Sequence, residues 1–301
     1  MKKKVILAVV ALFCKLHLLK PIQVARLKYF YKFHKMPNYE HPTDINEKIN
    51  WNKFYGDTSR WVDLADKYKV REYVQSLGLG DTLVKLYGRW DKASDIDWDR
   101  LPNQFVLKVN NGCGDILICR DKDKLDKATV IDTYDRLVSI KYGDVTGEPH
   151  YARIQPCVIA EELLDINKQS INTSSLIDYK VWCLNGKPYC IWCAWNRGKE
   201  GADTGVYDLD WNYHPEWSVF TEHYRQGKEI LPKPKCFERM LEVASKLSEE
   251  FPILRVDLYE VNEKIYFGEL TFTSLGGFMD YLTSEVLLDM GSKVRINEIS
   301  E

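Results

Sequence analysis

Residues 254–277, LRVDLYEVNEKIYFGELTFTSLGG, constrain the fold of this chain more than any other stretch. Two apolar runs rich in strand-forming residues flank the polar sequence Asn262-Glu263-Lys264, and this pattern predicts a β-hairpin. If those three residues form the loop, Val261 pairs with Ile265, and every other pair follows from that register.

In that register Asp257 lies directly opposite Glu269. Like charges directly opposite each other destabilise a sheet. A hard cation such as Mg²⁺, which prefers carboxylate oxygens, relieves the repulsion. The pair therefore predicts a metal site. The alternative is an edge strand on which one carboxylate points to solvent.

Composition places the chain among ordinary globular proteins. Its 301 residues suffice for one composite domain or two, with 45% apolar and 29% charged residues and a net charge of −2. This balance argues against a nucleic-acid-binding protein.

The Cys190-Ile191-Trp192-Cys193 spacing is typical of zinc and redox sites, but no second such pair accompanies it. We therefore expect the cysteines to be buried, reduced thiols in a cytoplasmic protein.

The N-terminus is strongly basic. Residues 1–39 contain nine Lys and Arg and no Asp or Glu, and Val5–Cys14 is an apolar run of ten residues. A spanning helix needs about 20 residues, and no small-x-small cleavage site follows the run. Two interpretations stay open: a segment lying on an anionic membrane face, and a docked helix with a solvated basic side.

Hydrophobic periodicity predicts helices over 44–54, 60–77, 125–141 and 236–251, and strands over 83–87, 157–164, 178–184 and 187–195. Residues 104–119 are predicted to form a strand, a glycine-bearing turn and a second strand. Asn185-Gly186 predicts a tight hairpin turn. Residues 200–218 are rich in Gly, Asp and Trp and are expected to form an irregular loop. Strands that turn back on themselves in the second half indicate an α+β fold with helices on one side of antiparallel sheets.

Lys108 lies in an otherwise apolar strand, where an unpaired lysine is costly. Gly112 and Gly114 follow it, and backbone N–H groups in such a turn approach a phosphate closely. This is not a Walker A loop, because the GxxxxGK[ST] pattern is absent. The alternative is a strand-end lysine that extends to water beside an ordinary turn.

Taken together and in this order, the motifs resemble the ATP-grasp superfamily, and most closely its teichuronopeptide-biosynthesis (TupA-like) branch, which is associated with capsule and cell-wall polysaccharide synthesis. The resemblance covers about residues 40–290. It is carried by the final hairpin and by the stretches DINEKI (44–49), ADKYKVR (65–71), FVLKVNNG (105–112), IAEELL (159–164) and DYKVWCLNGK (178–187).

The resemblance implies an α+β ATP-grasp fold in which two α+β subdomains clasp ATP, with a short helical N-terminal extension. The expected boundaries are 1–60 for the basic extension, 61–164 for the first subdomain and 165–301 for the second. The first subdomain would supply the phosphate lysines and the glycine loop, and the second the metal-binding hairpin.

For the nucleotide, the resemblance implies that Lys67 and Lys108 contact the phosphates beneath the glycine loop of Gly112 and Gly114. Glu161, Glu162 and Leu164 match the hinge segment, where backbone groups hold the adenine and one of the two glutamates meets its amino group or the ribose. Asp178 and Lys180 match the sugar-facing and phosphate-facing positions of the next strand.

For the chemistry, the resemblance implies Arg255 at the transferred phosphoryl group, Arg197 at the γ-phosphate, and Asp257 with Glu269 on Mg²⁺. The family's Glu-x-Asn metal motif is Glu269-Leu270-Thr271 here. The hydroxyl of Thr271 is a weaker ligand than an amide oxygen, so water could replace it. The N-terminal substrate domain of D-alanine–D-alanine ligase is not apparent, which leaves the acceptor site unassigned.

The implied function is an ATP- and Mg²⁺-dependent carboxylate–amine ligase that acts through an acyl phosphate and joins an amino acid or amine to a polysaccharide or lipid-linked sugar. The expected location is cytoplasmic, with peripheral contact at the inner membrane face. Three alternatives stay open: an ATP-grasp sugar kinase, a glycosyltransferase whose Asp203, Asp208 and Asp210 bind Mn²⁺ and a nucleotide sugar, and a degenerate ATP-grasp module that binds a partner without catalysis.

Overall fold

The computed structural model describes residues 19–112, 116–140, 142–143 and 146–296. The chain divides into two compact units. The first unit comprises residues 1–36, 58–72 and 84–163, and the second comprises 37–57, 73–83 and 164–301. The boundaries at residues 60 and 164 expected from the sequence stay a prediction.

The helices are α1 (Pro21–Phe33), α2 (Ile45–Tyr55), α3 (Trp61–Leu64), α4 (Val70–Ser76), α5 (Lys127–Val138), α6 (Phe237–Ser248) and α7 (Ser284–Lys293). The strands are β1 (Leu86–Trp90), β2 (Phe105–Val109), β3 (Ile116–Cys119), β4 (Val158–Glu161), β5 (Asp178–Leu184), β6 (Lys187–Gly198), β7 (Gly201–Tyr207), β8 (Tyr224–Gln226), β9 (Ile253–Val261) and β10 (Lys264–Thr271).

In the first unit, the described residues form a four-stranded antiparallel sheet in the order β1-β4-β2-β3. Phe105, Leu107 and Val109 point to one face and are buried in a core that includes Tyr134 of α5. The Tyr134 hydroxyl donates to the Leu107 carbonyl at 2.8 Å and fixes the helix on the sheet. The alternate residues, including Lys108, therefore lie on the opposite face.

In the second unit, the described strands form a six-stranded sheet in the order β10-β9-β5-β6-β7-β8. Neighbouring strands are antiparallel except β7 and β8, which are parallel. Helix α6 packs on β5, β6 and β9, and the Cys183 thiol of β5 lies 3.7 Å from the Ala244 carbonyl oxygen. On the other face, Trp182 and Trp192 pack with residues of α2 and α7.

Helices and largely antiparallel sheets confirm the predicted α+β class. The expectation of helices on one side only is wrong for the second sheet, which has α6 on one face and α2 and α7 on the other. Within the ranges that the structure describes, no helix has the length and apolar character needed to cross a membrane. The apolar run Val5–Cys14 lies outside those ranges.

The β9–β10 hairpin forms, but its turn differs from the predicted one. Val261 pairs with Lys264 and not with Ile265, because the loop has two residues. Asn262 and Glu263 adopt φ values of 55° and 57°, as a type I′ turn requires. A bulge between Phe267 and Glu269 then shifts the register by one residue, so Asp257 does lie opposite Glu269.

Two further predictions need correction. The expected loop at 200–218 contains strand β7, because Gly201–Tyr207 pairs with β6. The predicted continuous helix over 60–77 is broken between α3 and α4. At the break, the Asp66 carboxylate accepts hydrogen bonds from the backbone N–H groups of Tyr68 and Lys69, which ends the helical pattern.

Helix α2 buries a polar stripe. Its N-cap is Asp44, which accepts from the Glu47 N–H at 2.9 Å. Asn46, Asn50 and Lys53 share one face of the helix and are 1%, 0% and 3% exposed. They bond to the backbone of the segment after β10: Asn46 bonds to both the N–H and the C=O of Met279, Asn50 donates to the Gly277 carbonyl, and Lys53 donates to the Gly276 carbonyl.

Candidate active site

On the face of the first sheet opposite Leu107 and Tyr134, Lys108 forms an ion pair with Glu161. The Lys108 ammonium lies 2.5 Å from one oxygen of Glu161, and Arg71 lies 3.3 Å from the other. Glu161 is 6% exposed, so one buried carboxylate holds two cations at its two oxygens. This arrangement explains how an otherwise apolar strand accommodates Lys108, because the charge is paired rather than extended to solvent.

Lys67 lies at the break between α3 and α4. Its backbone N–H donates to the Asn110 carbonyl at 3.0 Å, and its ammonium donates to the Gly112 carbonyl at 2.7 Å. The Asn110 amide in turn donates to Asp66 at 2.8 Å. The segment that carries Lys67 is therefore fastened to the start of the glycine turn, and the two predicted phosphate lysines belong to one structural unit.

The other predicted nucleotide residues of this region differ in exposure. Gly112 is buried, whereas Gly114 lies outside the described residues. Glu162 is exposed, and its backbone N–H donates to the Lys85 carbonyl at 2.9 Å. Of the two adjacent glutamates, Glu161 is buried and contacts Lys108, whereas Glu162 is exposed. Leu164 is 8% exposed and begins the last segment of the second unit.

In the second unit, Lys180, Arg255 and Asp257 form a buried ionic cluster. The Lys180 ammonium lies 2.5 Å from one oxygen of Asp257. Arg255 donates to both oxygens of Asp257, at 2.7 and 2.8 Å. The register brings these residues together, because Lys180 of β5 pairs directly with Asp257 of β9. Asp257 is 1% exposed, so it is neutralised by cations within the fold.

Asp178 and Arg197 extend this cluster. Lys180 lies 3.4 Å from Asp178, and the guanidinium of Arg197 is hydrogen-bonded to the other oxygen of Asp178. Asp178 is buried, while the Arg197 side chain is half-exposed. Asp178, together with burial, raises the pKa of Tyr259 well above its ordinary value, so this phenol stays neutral.

Arg255 keeps its charge despite burial. Burial alone would lower its pKa, but the Asp257 carboxylate outweighs that effect and raises the pKa of Arg255 well above the ordinary value. Asp178 likewise raises the pKa of Arg197. Both guanidinium groups are fixed positive charges in the neutral pH range.

Glu269 and Thr271 lie on β10 beside this cluster. The Thr271 hydroxyl donates to Glu269 at 3.0 Å and accepts from Arg255 at 3.1 Å. Thr271 thus holds the Glu269 carboxylate beside the arginine, which lies 3.5 Å from it. The carboxylates of Asp178, Asp257 and Glu269 face the cations Lys180, Arg197 and Arg255, so the cluster balances three charges of each sign.

The carboxylates of Asp257 and Glu269 have the chemistry that Mg²⁺ prefers, but Lys180 and Arg255 already contact both oxygens of Asp257, so Mg²⁺ would have to compete with these two cations. Both carboxylates offer hard oxygens from directly opposite positions on adjacent strands. Among the described residues, no three His, Cys, Asp or Glu side chains are grouped as a metal site. Mg²⁺ does not require such a cage, because it keeps several waters and is commonly held by one or two carboxylates together with substrate phosphates.

Several neighbours of these clusters were not foreseen from the sequence. Tyr259 lies two residues after Asp257 on β9, and strand alternation alone would have placed it on the same face. Ser274 accepts from Arg255 at 2.7 Å and lies 3.0 Å from the Tyr281 hydroxyl.

Two exposed isoleucines lie beside Lys108 in the first unit. Ile116 and Ile118 are 56% and 52% exposed, and Ile116 pairs with Lys108.

The aspartates of the glycosyltransferase alternative do not form a metal group among the residues described. Asp203 pairs with Arg225 at 3.1 Å. Asp208 instead accepts from Asn212 and contacts His214.

Cys190 and Cys193 are fully buried free thiols whose pKa values are raised, chiefly by burial. This agrees with the expectation of reduced structural cysteines.

Comparison with known proteins gives one family. The family model described as TupA-like ATPgrasp matches residues 47–295. Among solved structures, the chain is similar to a D-alanine–D-alanine ligase from Bacillus anthracis (16% identity, TM-score 0.47, covering 77% of this chain and 67% of that one). It is also similar to the same enzyme from Helicobacter pylori (12%, 0.44, 84% and 67%), and to an L-amino acid ligase from Bacillus licheniformis (14%, 0.38, 71% and 42%).

All three structural likenesses have TM-scores below 0.5. The chain spans between 42% and 67% of the length of those three structures. No curated protein matches the sequence.

Proposed function

Because the chain belongs to the TupA-like ATP-grasp family, we propose that it is an ATP- and Mg²⁺-dependent ligase that joins a carboxylate to an amine. The carboxylate oxygen would attack the γ-phosphorus of ATP as the bond to the β-phosphate oxygen breaks, which gives an acyl phosphate and ADP. The amine would then attack the acyl carbon, and phosphate would leave.

The observation that carries this proposal is the Lys180–Asp257–Arg255 cluster opposite Glu269. It supports phosphoryl chemistry because it combines fixed positive charge with carboxylates of the kind that bind Mg²⁺. Charge developing on a transferred phosphoryl group is stabilised best by groups that are already oriented. Arg255 is oriented by Asp257, Thr271 and Ser274 before any substrate arrives.

In this proposal Lys67 and Lys108 bind ATP phosphates, and Glu161 keeps Lys108 extended across the sheet face. Ile116 and Ile118 offer exposed apolar surface beside Lys108 that suits a nucleobase. Asp178 and Lys180 would face the ribose and the phosphates. Asp257 and Glu269 would hold Mg²⁺, which when bound neutralises phosphate charge.

For substrates we propose a sugar carboxylate with an amine, or an amino acid with an amino sugar, on a polysaccharide or lipid-linked precursor. This part of the proposal follows the polysaccharide association that the family resemblance implies. We propose that the reaction takes place at the inner membrane face.

The first experiment is calorimetric titration of the full chain with ATP, with and without Mg²⁺. Micromolar, Mg²⁺-dependent binding is expected. Asp257→Asn keeps the size of the side chain but removes its charge, and should abolish the Mg²⁺ dependence. The matched control is Asp210→Asn, because Asp210 is exposed and lies in the same unit.

Unchanged Mg²⁺-dependent binding by Asp257→Asn would contradict the assignment of the metal site. Tight binding of a nucleotide sugar without ATP binding would favour a glycosyltransferase instead. Once ATP binding is established, a panel of sugar acids and amines separates the activities. Amide formation with ADP release supports the ligase, whereas a phosphorylated sugar identifies a kinase.

A further inference from the structure

Helix α1 has a docked side and an exposed side. Val24, Ala25 and Tyr29 are at most 1% exposed. On the docked side, Gly147 lies beside the helix, where a Cβ atom would be in ordinary contact with it, 3.5 Å from the Pro21 carbonyl oxygen and 3.8 Å from the Ala25 nitrogen. These buried residues fix the helix to the rest of the first unit.

The exposed side is apolar at its centre. Leu27 and Phe30 are 44% and 50% exposed, and Met36, just beyond the helix, is 60% exposed. Leu27 and Phe30 are three residues apart, so they are neighbours on the helix surface. Removal of a Leu or Phe side chain from water is favourable. Two such side chains held in water beside each other indicate a surface that contacts something apolar.

The same side is basic at its borders. The exposed residues around Leu27 and Phe30 include Lys20, Arg26, His34 and Lys35. Residues 19–36 contain five Lys and Arg and no Asp or Glu. Upstream, outside the described residues, the sequence adds Lys2, Lys3, Lys4 and Lys15 around the apolar run Val5–Cys14.

We propose that the surface formed by Arg26, Leu27 and Phe30 of α1, with Lys20 and Lys35 just beyond its two ends, docks the protein on the surface of an anionic lipid bilayer. Leucine and phenylalanine would enter the boundary between headgroups and acyl chains, while lysine and arginine would pair with anionic headgroups. A two-fold symmetric contact with a second copy of the chain fits this surface poorly, because it would oppose basic residues to basic residues. The proposal does not depend on the ligase activity.

The buried side of α1 determines how the helix would be oriented on the membrane. Because Val24, Ala25 and Tyr29 are buried in the first unit, the helix would lie in the membrane plane while the unit remains on the water side. The contact is peripheral, since α1 has 13 residues and a spanning helix needs about 20.

The test is co-sedimentation of the full chain with vesicles of phosphatidylcholine alone or with added phosphatidylglycerol. Binding should require phosphatidylglycerol. It should fall at least about tenfold between about 0.1 M and about 1 M NaCl, across which the Debye length shortens from about 10 Å to about 3 Å. Leu27→Ser combined with Phe30→Ser should weaken binding at least about tenfold, because two apolar side chains no longer enter the bilayer.

The matched control is Ile230→Ser combined with Leu288→Ser, which removes two exposed apolar side chains, 66% and 49% exposed, from the second unit. It should bind vesicles as the unchanged protein does. Circular dichroism and thermal unfolding verify that each variant is folded. A second variant, Arg26→Gln with Lys35→Gln, should lose the dependence on phosphatidylglycerol.

Three results would overturn the proposal. One is vesicle binding by the Leu27→Ser, Phe30→Ser variant equal to that of the unchanged protein, which would assign any binding to another part of the chain. Another is equal binding to vesicles with and without phosphatidylglycerol. The third is absence of vesicle binding together with a dimer, seen in sedimentation velocity, that the same variant dissociates.

Discussion

At the scale of single residues, both clusters are organised around buried carboxylates. Glu161 holds Lys108 and Arg71, and Asp257 holds Lys180 and Arg255. Each carboxylate fixes two cations in defined positions while limiting the free-energy cost of burying them. Incoming phosphates would compete with these carboxylates for the same cations, and the cost of reorganisation stays small because the cations are already in place.

Lys108→Met tests the first cluster. It removes the ammonium but keeps a long apolar side chain that packs on the strand. Because charge-assisted hydrogen bonds contribute about 1.5–3 kcal/mol, the affinity for ATP should fall about 10- to 100-fold in calorimetric titration. The control is Lys92→Met, since Lys92 is an exposed lysine of the same unit. An unchanged ATP affinity in Lys108→Met would exclude Lys108 from the nucleotide site.

His214 should make the free energy of unfolding depend on pH. It lies 2.7 Å from Glu216 and 3.2 Å from Asp208, and its ring stacks on Trp217. Burial alone would lower its pKa, but the hydrogen bonds to Glu216 and Asp208 outweigh that effect and raise it. The stabilisation from protonated His214 is therefore full below the unfolded-state pKa of about 6.5, and it is lost as the pH rises through the higher folded-state pKa.

His214→Gln should accordingly lower the free energy of unfolding more at about pH 6 than at about pH 9, as measured by urea denaturation. The pKa values of Asp208 and Glu216 are lowered in the folded protein, so both carboxylates remain charged at these two pH values. His41→Gln is the control, because His41 is exposed. Equal losses at both pH values would show that the ion pairs of His214 do not contribute.

At the scale of elements, the bulge in β10 aligns the two metal-binding candidates. A Cβ atom on Gly268 would lie 2.9 Å from the Asp257 carbonyl oxygen and 3.1 Å from the Tyr259 ring. Gly268→Ala should therefore destabilise the protein by about 1–3 kcal/mol. It should also weaken Mg²⁺-dependent ATP binding, because Asp257 and Glu269 no longer align.

Gly198→Ala is the matched control for the bulge. Gly198 ends strand β6 of the same sheet, and a Cβ atom there would have no neighbour within 4 Å. Urea denaturation and ATP titration should leave this variant close to the unchanged protein. If Gly268→Ala behaved in the same way, the bulge would not be needed for the alignment of Asp257 with Glu269.

Local signals predicted the hairpins but not the contacts between distant strands. The Asn185-Gly186 turn forms as predicted, with φ values of 48° and 74°. Strand β7 was missed because Gly201 and Gly205 suggest a loop. The structure explains Gly205 by packing, since a Cβ atom there would lie 3.1 Å from the Tyr213 ring and 3.3 Å from the Tyr207 ring.

In the candidate site, too, local signals predicted the hairpin but not the contacts between distant strands. The opposition of Asp257 and Glu269 was predicted from one hairpin, although two errors cancelled: the turn is one residue shorter than supposed, and the bulge restores the register. The Lys180–Asp257 pair depends on the register of β5 against β9, which are separated by 77 residues at this pair. No local periodicity encodes that register.

At the scale of the whole molecule, ligand binding should be visible as stability. A ligand at about 100 times its Kd adds about 2.7 kcal/mol to the folded state if it does not bind the unfolded chain. ATP with Mg²⁺ should therefore raise the Tm of the full chain. EDTA should remove most of the increase, because the proposed site holds ATP together with the metal. An equal rise with ATP in EDTA would contradict a metal-dependent site.

The polar stripe of α2 also determines when the chain can complete its fold. Asn46 and Asn50 bond to Met279 and Gly277, which are 233 and 227 residues further along the chain. During synthesis on the ribosome, α2 emerges long before these partners exist, whereas residues 84–163 of the first unit are already available to one another. Contacts between segments so far apart in sequence slow folding. Until residues 277–279 have been synthesised, the polar and apolar surface of α2 stays exposed and is available to chaperones.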